Sequence, residues 1–152
     1  MLLVRHAKAG HRRNWKGDDR ERPLSRAGAT QARKLVAVLS PLAPARLLSS
    51  PYTRCVQTLE PLAKPLRLKV ESVDELAEGK PGTAVAYVRS LADGATVALS
   101  THGDIVQAIL EALVGEDGLE PSGPLVWPKG STWLLHPDGG RFVKAEYLPA
   151  PA

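Results

Sequence analysis

The chain has 152 residues, of which 43% are hydrophobic and 24% charged, and this composition predicts one globular domain over residues 1–152. No apolar run is long enough to span a membrane, and Arg5 and His6 interrupt the first apolar residues, which argues against a secretory signal peptide. The single cysteine, Cys55, excludes an internal disulfide and a cysteine-based metal site, so we expect a cytoplasmic protein.

The net charge of +4 is confined to the first 22 residues. They contain seven Lys or Arg against three Asp or Glu, whereas the rest of the chain contains thirteen of each sign. A basic excess in one segment favours anionic partners, namely phosphates, nucleotides, nucleic acid or an acidic protein face. Nucleic acid is the weakest of these, because aromatic residues make up only 5% of the chain and do not alternate with basic ones.

Apolar periodicity and capping signals divide the chain into alternating strands and helices. The predicted strands cover residues 1–4, 46–49, 66–73 and 96–99, followed by a closing hairpin of 132–136 and 141–147. The predicted helices cover the segment from the N-cap Ser25 to Pro41, and then residues 52–63, 83–91 and 104–114. Two polar loops, 8–22 and 115–130, remain. This order predicts an α/β fold, a three-layer αβα sandwich with a mostly parallel central sheet.

Polar side chains follow three of the predicted strands. Arg5 and His6 come directly after the first strand, Arg54 follows the second, and His102 follows the fourth. Because the carboxyl ends of parallel strands meet at one edge of a sheet, we expect these four side chains to lie close together. Helix N-termini arrive with them, and their free N–H groups attract anions. The sequence therefore predicts a pocket for a phosphoryl group.

These residue types suit phosphoryl transfer through a covalent intermediate. A neutral, oriented His6 is the candidate nucleophile, and the phosphoryl oxygens would be neutralised by Arg5, Arg54 and His102. A carboxylic acid should protonate the leaving oxygen, and Glu78, which follows the third predicted strand, is the candidate.

Other phosphatase chemistries lack their residues in this chain. Cys55 has no arginine six positions later, as a thiolate phosphatase loop requires, and no Gly-x-x-x-x-Gly-Lys-Ser/Thr loop is present. No cluster of aspartates suggests a two-metal site. We therefore expect neither a metal nor a cofactor.

Four segments resemble signatures of the histidine phosphatase superfamily, also called phosphoglycerate mutase-like. Residues 3–7 (Leu-Val-Arg-His-Ala) resemble its Arg-His-Gly signature, with Ala7 in place of the common glycine. Residues 49–58 resemble its Ser-Ser-Pro-x-x-Arg-x-x-Gln-Thr segment, residues 100–103 its Ser-x-His-Gly segment, and residues 76–78 its acid-bearing motif. The resemblance covers nearly the whole chain, and it implies a phosphoglycerate mutase-like fold.

The resemblance also implies a role for each of the residues at the strand ends. His6 would carry a covalent phosphohistidine, and three side chains would bind the phosphoryl group: Arg5, Arg54 and His102. Glu78 would be the proton donor and then the base for the attacking water. Glu75, in the same short segment, is the alternative proton donor.

Two branches of the superfamily compete as models for the substrate. Residues 21–28 (Glu-Arg-Pro-Leu-Ser-x-x-Gly) resemble the small SixA-type branch, whose members act on phosphohistidine in proteins. Residues 5–10, 17–19 and 129–133 resemble the phosphatase half of two-domain proteins that carry a Nudix domain first. We expect a SixA-like protein phosphatase, with a phosphatase of nucleoside di- or triphosphates, oxidised guanine nucleotides included, as the alternative. The chain would be either an intact short protein or one half of a two-domain protein.

The basic loop is expected to select the substrate through five candidates: Lys8, Arg12, Trp15, Arg20 and Arg22. Trp15 would either cover a substrate or anchor the loop on the domain. A function of another class, a phosphate-binding module with little catalysis, is supported by the local positive charge. The intact set of arginines and histidines argues against it.

Overall fold

A seven-stranded mixed sheet organises the protein, whose computed structural model describes residues 1–152. The strands are β1 Leu2–Arg5, β2 Arg46–Ser49, β3 Val70–Ser72, β4 Val97–Thr101, β5 Glu120–Pro121, β6 Thr132–Asp138 and β7 Arg141–Leu148. Their order is β3-β2-β4-β1-β6-β7-β5. The first four pair in parallel, β6 runs antiparallel to both β1 and β7, and β5 lies parallel to β7. The predicted mostly parallel sheet is confirmed.

Four helices cover the two faces of this sheet: α1 Arg26–Leu39, α2 Thr53–Leu66, α3 Pro81–Ser90 and α4 Gly103–Asp117. Leu35 of α1 and Leu59 of α2 pack on one face, in a cluster of eight buried residues. Val88 of α3 and Ile109 of α4 pack on the other face, in a cluster of nineteen. Each helix turns its apolar stripe to the sheet, which gives the predicted three layers. None of the helices is long and apolar enough to cross a membrane.

The prediction is wrong at the junction between α2 and β3. Leu66, assigned from sequence to the start of a strand, is the last residue of α2, and the strand begins only at Val70. Helical spacing continues through Leu59, Leu62 and Leu66, all of which pack with the smaller core cluster. That packing outweighs the helix-breaking tendency of the two prolines inside α2. Arg67, with φ of 54°, ends the helix in the left-handed region.

Several other boundaries move by a few residues. The last helix, α4, runs three residues past the predicted end and stops at Gly118, whose φ is 75°. The predicted loop 115–130 is therefore shorter and contains the small strand β5. The hairpin turn between β6 and β7 consists of Gly139 and Gly140, both with positive φ, as a tight two-residue connection requires.

The predicted polar loop is closed at its base by backbone pairing. Ala9 forms an antiparallel bridge with Leu24, and the Ser25 N–H donates to the Lys8 carbonyl at 3.0 Å. Between these ends the chain makes two single 3₁₀ turns, Arg12–Asn14 and Asp19–Glu21. The loop thus begins and ends at the same place, directly after β1.

Gly28, in the first turn of α1, permits a close approach to this loop. A Cβ at this position would overlap the carbonyl oxygen of Lys8. The same carbonyl already accepts hydrogen bonds from the backbone N–H and the hydroxyl of Ser25. The start of α1 therefore rests directly on the backbone that follows His6.

We predict that Gly28→Ala destabilises the protein, although alanine is ordinarily the better helix former. The added methyl meets backbone that cannot move aside, so the free energy of unfolding should fall by about 1–3 kcal/mol. Gly115→Ala is the matched control, because Gly115 lies in α4 with nothing near its Cβ position. It should raise the free energy of unfolding by about 0.5–1 kcal/mol. Urea denaturation measures both, and two changes of the same sign would contradict the prediction.

Candidate active site

A small polar pocket lies at the carboxyl ends of β1, β2 and β4. Its volume is about 200 Å³, and no hydrophobic residue lines it. The five residues to which the sequence assigns the chemistry all line it, or lie at its wall: Arg5, His6, Arg54, Glu78 and His102. The other lining residues are Arg12, Arg22, Gly103, Asp104 and Lys129. The structure therefore brings together side chains that are far apart in sequence; Arg5 and His102 are separated by 97 positions.

Backbone hydrogen bonds hold the strand ends together beneath this pocket. The His6 N–H donates to the Thr101 carbonyl at 3.0 Å, and the Ser50 N–H donates to the Ser100 carbonyl at 2.9 Å. The Gly130 N–H donates to the His6 carbonyl at 3.1 Å. The sheet ladder thus continues one residue past each strand, and it fixes the backbone from which the polar side chains project.

His6 is buried, and one of its ring nitrogens is engaged. Its Nδ1 lies 2.7 Å from the carbonyl oxygen of Ala7. Because a carbonyl oxygen only accepts, Nδ1 carries the proton in the neutral ring, and Nε2 keeps its lone pair. Burial lowers the pKa of His6 to about 4; the bond to Ala7 opposes this effect, and the charge of Arg54 adds to it. His6 is therefore a neutral imidazole with a free nitrogen near pH 7.

Arg54 is the most deeply buried charge of the pocket, with 1% of its surface exposed. Its Nη1 donates to the Asp19 carbonyl at 2.9 Å, and its Nη2 lies 3.1 Å from Asp19 Oδ2 and 3.3 Å from Glu78 Oε2. The ring of Tyr52 lies 4.9 Å from the guanidinium carbon. Two carboxylates and an aromatic face thus compensate the loss of hydration.

A single hydroxyl links the nucleophile segment to Arg54. Thr58 Oγ1 donates to the Arg54 carbonyl at 2.7 Å and accepts the Ala7 N–H at 3.0 Å. Ala7, which stands where the resembling family has glycine, is fully buried and accommodated without strain. The relative position of His6 and Arg54 is therefore set by one side chain of α2.

Arg5 is held at the N-terminus of α4. Its Nη1 donates to the Trp127 carbonyl at 2.8 Å, and its guanidinium lies against Gly103, where a Cβ would come within 2.8 Å. A side chain at Gly103 would therefore displace the guanidinium of Arg5 from its present position. The Nε atoms of Arg5 and Arg54 are buried and have no partner in the protein. Both guanidinium groups line one small pocket, and their positive charge suits an oxyanion.

His102 faces His6 edge to face, with the ring centroids 5.6 Å apart. Its Nε2 lies 2.8 Å from the hydroxyl oxygen of Ser50. Burial lowers the pKa of His102 to about 3, and the charge of Arg54 contributes. Cys55 lies behind the ring, its Sγ 3.6 Å from Nε2, and burial raises the pKa of this thiol to about 12. Cys55 is therefore an inert core residue, as its sequence position indicates.

Glu78 and Glu75 are separated clearly by the structure. Glu78 lines the pocket and pairs with Arg54 and with Arg12, whose Nη2 lies 3.4 Å from Glu78 Oε1. Glu75 belongs to the short turn Asp74–Leu76, is exposed, and does not line the pocket. Between the two carboxylates that the sequence leaves open, only Glu78 lines the pocket.

The five candidates for substrate selection fall into three groups. Arg12 and Arg22 line the pocket, and Lys8 lies in the cleft beside it. Trp15 and Arg20 line neither space. The Trp15 indole N–H donates to the Asp18 carbonyl at 2.7 Å within its own loop, and Arg20 lies over the ring of Tyr52. Trp15 is 37% exposed and is not seen packed on the domain, and neither residue lines a cavity in which a substrate would lie.

Two important residues of the site are missed by sequence reasoning. Asp19 contacts three arginines, Arg12, Arg22 and Arg54, and its pKa is held below the usual range because their hydrogen bonds and charges outweigh the effect of burial. Lys129 joins the pocket from the segment before β6. Neither residue follows a strand of the parallel part of the sheet. The rule that polar residues after parallel strands meet at one sheet edge therefore does not identify them. The excess of arginine in residues 1–22 is the one sequence signal that a carboxylate there would find cationic partners.

Comparison with known proteins agrees with this arrangement. Residues 1–84 match the histidine phosphatase superfamily (branch 1). Over 169 aligned positions the chain is 32% identical to an 8-oxo-(d)GTP phosphatase of Mycolicibacterium smegmatis. That match covers 99% of this chain and 48% of the relative, so the chain spans about half the length of the curated protein that it matches.

Solved structures show the same fold. The SixA protein of Agrobacterium tumefaciens, named as a phosphohistidine phosphatase, superposes with a TM-score of 0.74 and 27% identity over 99% of this chain and 97% of its own. YhfR of Bacillus stearothermophilus superposes with a TM-score of 0.75 and 19% identity over 93% of this chain and 92% of its own, a likeness of fold alone. By sequence and fold together, the chain belongs to the histidine phosphatase superfamily, branch 1.

Proposed function

We propose that this chain is a metal-independent phosphatase that forms a covalent phosphohistidine on His6 and acts on nucleotides. The observation that carries the chemistry is the neutral His6, whose Nε2 is free in a pocket walled by Arg5, Arg54 and His102. Such a pocket supplies a nucleophile and positive charge around the transferred group, the two main requirements of phosphoryl transfer.

In the first step, His6 Nε2 attacks the phosphorus, and the bond from phosphorus to the leaving oxygen breaks. Arg5, Arg54 and the His102 ring stabilise the charge on the three equatorial oxygens. Glu78, in its acid form, gives its proton to the leaving oxygen. In the second step, Glu78 takes a proton from water as the water oxygen attacks phosphorus. The nitrogen–phosphorus bond then breaks, which releases phosphate and regenerates His6.

The substrate class is supported by the sequence relationship. The relative that is 32% identical over nearly the whole chain is an 8-oxo-(d)GTP phosphatase. This favours the alternative prediction from sequence, a nucleoside di- or triphosphate with oxidised guanine included, over the SixA-like prediction that we placed first. A phosphohistidine protein remains the second candidate substrate, because the SixA structure, which is 27% identical, aligns with 99% of this chain over 97% of its own length.

We predict that His6→Asn lowers kcat/KM for p-nitrophenyl phosphate in EDTA by at least about a thousandfold, since the nucleophile is lost. During turnover of the unmodified protein, acid quenching at short times should trap acid-labile phosphate on the chain, and the His6→Asn variant should trap none. Full activity of the variant would refute the mechanism. Phosphate binding by the unmodified protein without hydrolysis of any ester would instead indicate a binding module.

Glu78→Gln and Glu75→Gln form a matched pair that tests the proton donor. We expect Glu78→Gln to lower kcat/KM by roughly 10²–10⁴-fold on phenyl phosphate, because its basic leaving group needs a proton in the first step. The loss should be smaller on p-nitrophenyl phosphate, whose leaving group is less basic. Glu75→Gln should change neither rate by more than about threefold. A loss that is equal on the two esters would rule out proton donation by Glu78.

A substrate panel tests the substrate class. It compares nucleoside di- and triphosphates, oxidised guanine forms included, with a phosphohistidine protein and with sugar phosphates. We expect the highest kcat/KM for a nucleotide, and the His6→Asn variant should lose that activity in parallel with p-nitrophenyl phosphate hydrolysis. A higher kcat/KM for the phosphohistidine protein would assign the chain to the second candidate function.

The neutral state of His6 has a consequence for stability. Between pH 6.5 and 4 the unfolded chain binds a proton at this position, whereas the folded chain, with its pKa near 4, does not. The free energy of unfolding should therefore fall as the pH is lowered through this window, by at most about 1.4 kcal/mol per pH unit for each such histidine. His6→Asn should flatten the slope measured by urea denaturation. The same substitution at the exposed His11 is the control, and an unchanged slope in His6→Asn would contradict the prediction.

A further inference from the structure

A second basic cavity adjoins the phosphoryl pocket. Its volume is about 530 Å³, and its cationic lining consists of Lys8, Arg12, Arg22 and Lys129. Three of these, Arg12, Arg22 and Lys129, line the phosphoryl pocket as well. The two spaces therefore share a wall of positive charge.

Negative side chains are concentrated on the phosphoryl side of that wall. Asp19 and Glu78 pair with arginines there, and no carboxylate lines the second cavity. Lys8 and Lys129 are not among the residues that form ion pairs. Burial lowers the pKa of Lys129, and the charges of nearby cations, Lys8 among them, lower it further. This side of the wall has positive charge that no protein anion compensates.

The two lysines are held in place by one carboxamide. Gln31, on α1, accepts the Lys8 N–H at Oε1 with a distance of 3.0 Å, and its Nε2 donates to the Lys129 carbonyl at 3.4 Å. The Lys8 carbonyl accepts hydrogen bonds from Ser25 at the start of α1. Lys129 is followed by Gly130, whose N–H donates to the His6 carbonyl. The two backbones thus occupy fixed positions relative to the nucleophile.

We propose that Lys8 and Lys129 form an anion subsite for a second phosphate group of the substrate, the one that leaves when the terminal phosphoryl group transfers to His6. The inference rests on the proposed function and specifies its substrate class as a compound with at least two linked phosphates. When the bridging bond breaks, the bridging oxygen gains negative charge, and ammonium groups beside it stabilise the leaving phosphate. A phosphohistidine protein has no second phosphate for this subsite.

Calorimetric titration with inorganic phosphate and with methylenediphosphonate tests the subsite without turnover. We expect the unmodified chain to bind methylenediphosphonate at least about tenfold more tightly than phosphate, since a second charged contact is made. Lys8→Gln and Lys129→Gln should each weaken the diphosphonate by about tenfold and should weaken phosphate less, and Lys8→Arg should restore most of the preference. Lys69→Gln is the control, because Lys69 precedes β3 and lies at the opposite edge of the sheet.

Equal affinities for the two ligands in the unmodified chain would overturn the subsite, as would an equal loss in Lys69→Gln. Far-ultraviolet circular dichroism shows that each variant is folded before titration. The two proposals can fail separately. A diphosphonate preference without nucleotide hydrolysis keeps the subsite and refutes the nucleotide function. Nucleotide hydrolysis without the preference keeps the function and refutes the subsite.

Discussion

The buried guanidinium of Arg54 is the constraint around which the site is arranged. A permanent charge that is 1% exposed would cost several kcal/mol if left unpaired. The basic loop meets this cost by folding over the pocket and placing the carbonyl and carboxylate of Asp19 on the guanidinium. Glu78 reaches the same group from the segment after β3. Elements from three parts of the chain therefore converge on one charge, and the proposed acid is brought beside it in the process.

Burial, reinforced by the charge of Arg54, explains why the two histidines are neutral. The ring of each is largely removed from water, and both lie within the field of Arg54, so a proton on either ring is disfavoured. A neutral imidazole is the form that suits a nucleophile. The arginines that would bind a phosphoryl group thus also hold His6 ready to attack it. Burial and the charge of the arginines therefore act together to keep the nucleophile neutral.

Much of the candidate active site could be predicted from the sequence. His6, Arg54 and His102 each follow a strand of a parallel sheet, so chain order alone brings them to one edge. Asp19 and Lys129 lie on segments that no periodicity describes, and their contacts depend on how those segments fold in three dimensions. The end of α2 is predicted wrongly because Leu66 continues the helical spacing of α2 and also alternates with Leu68 as in a strand. Only packing decides between the two patterns.

The closed base of the basic loop separates the length of the loop from the position of the catalytic strand ends. Residues 8–10 and 23–25 are joined by backbone hydrogen bonds, so the segment between them leaves and returns at one point. Changes of length within such a segment cost little closure entropy and do not move its ends. The loop can therefore vary in length while the catalytic strand ends stay fixed, as long as Asp19 still pairs with Arg54. The first turn of α1 is held together with the base of the loop, because a side chain at Gly28 would overlap the backbone of Lys8.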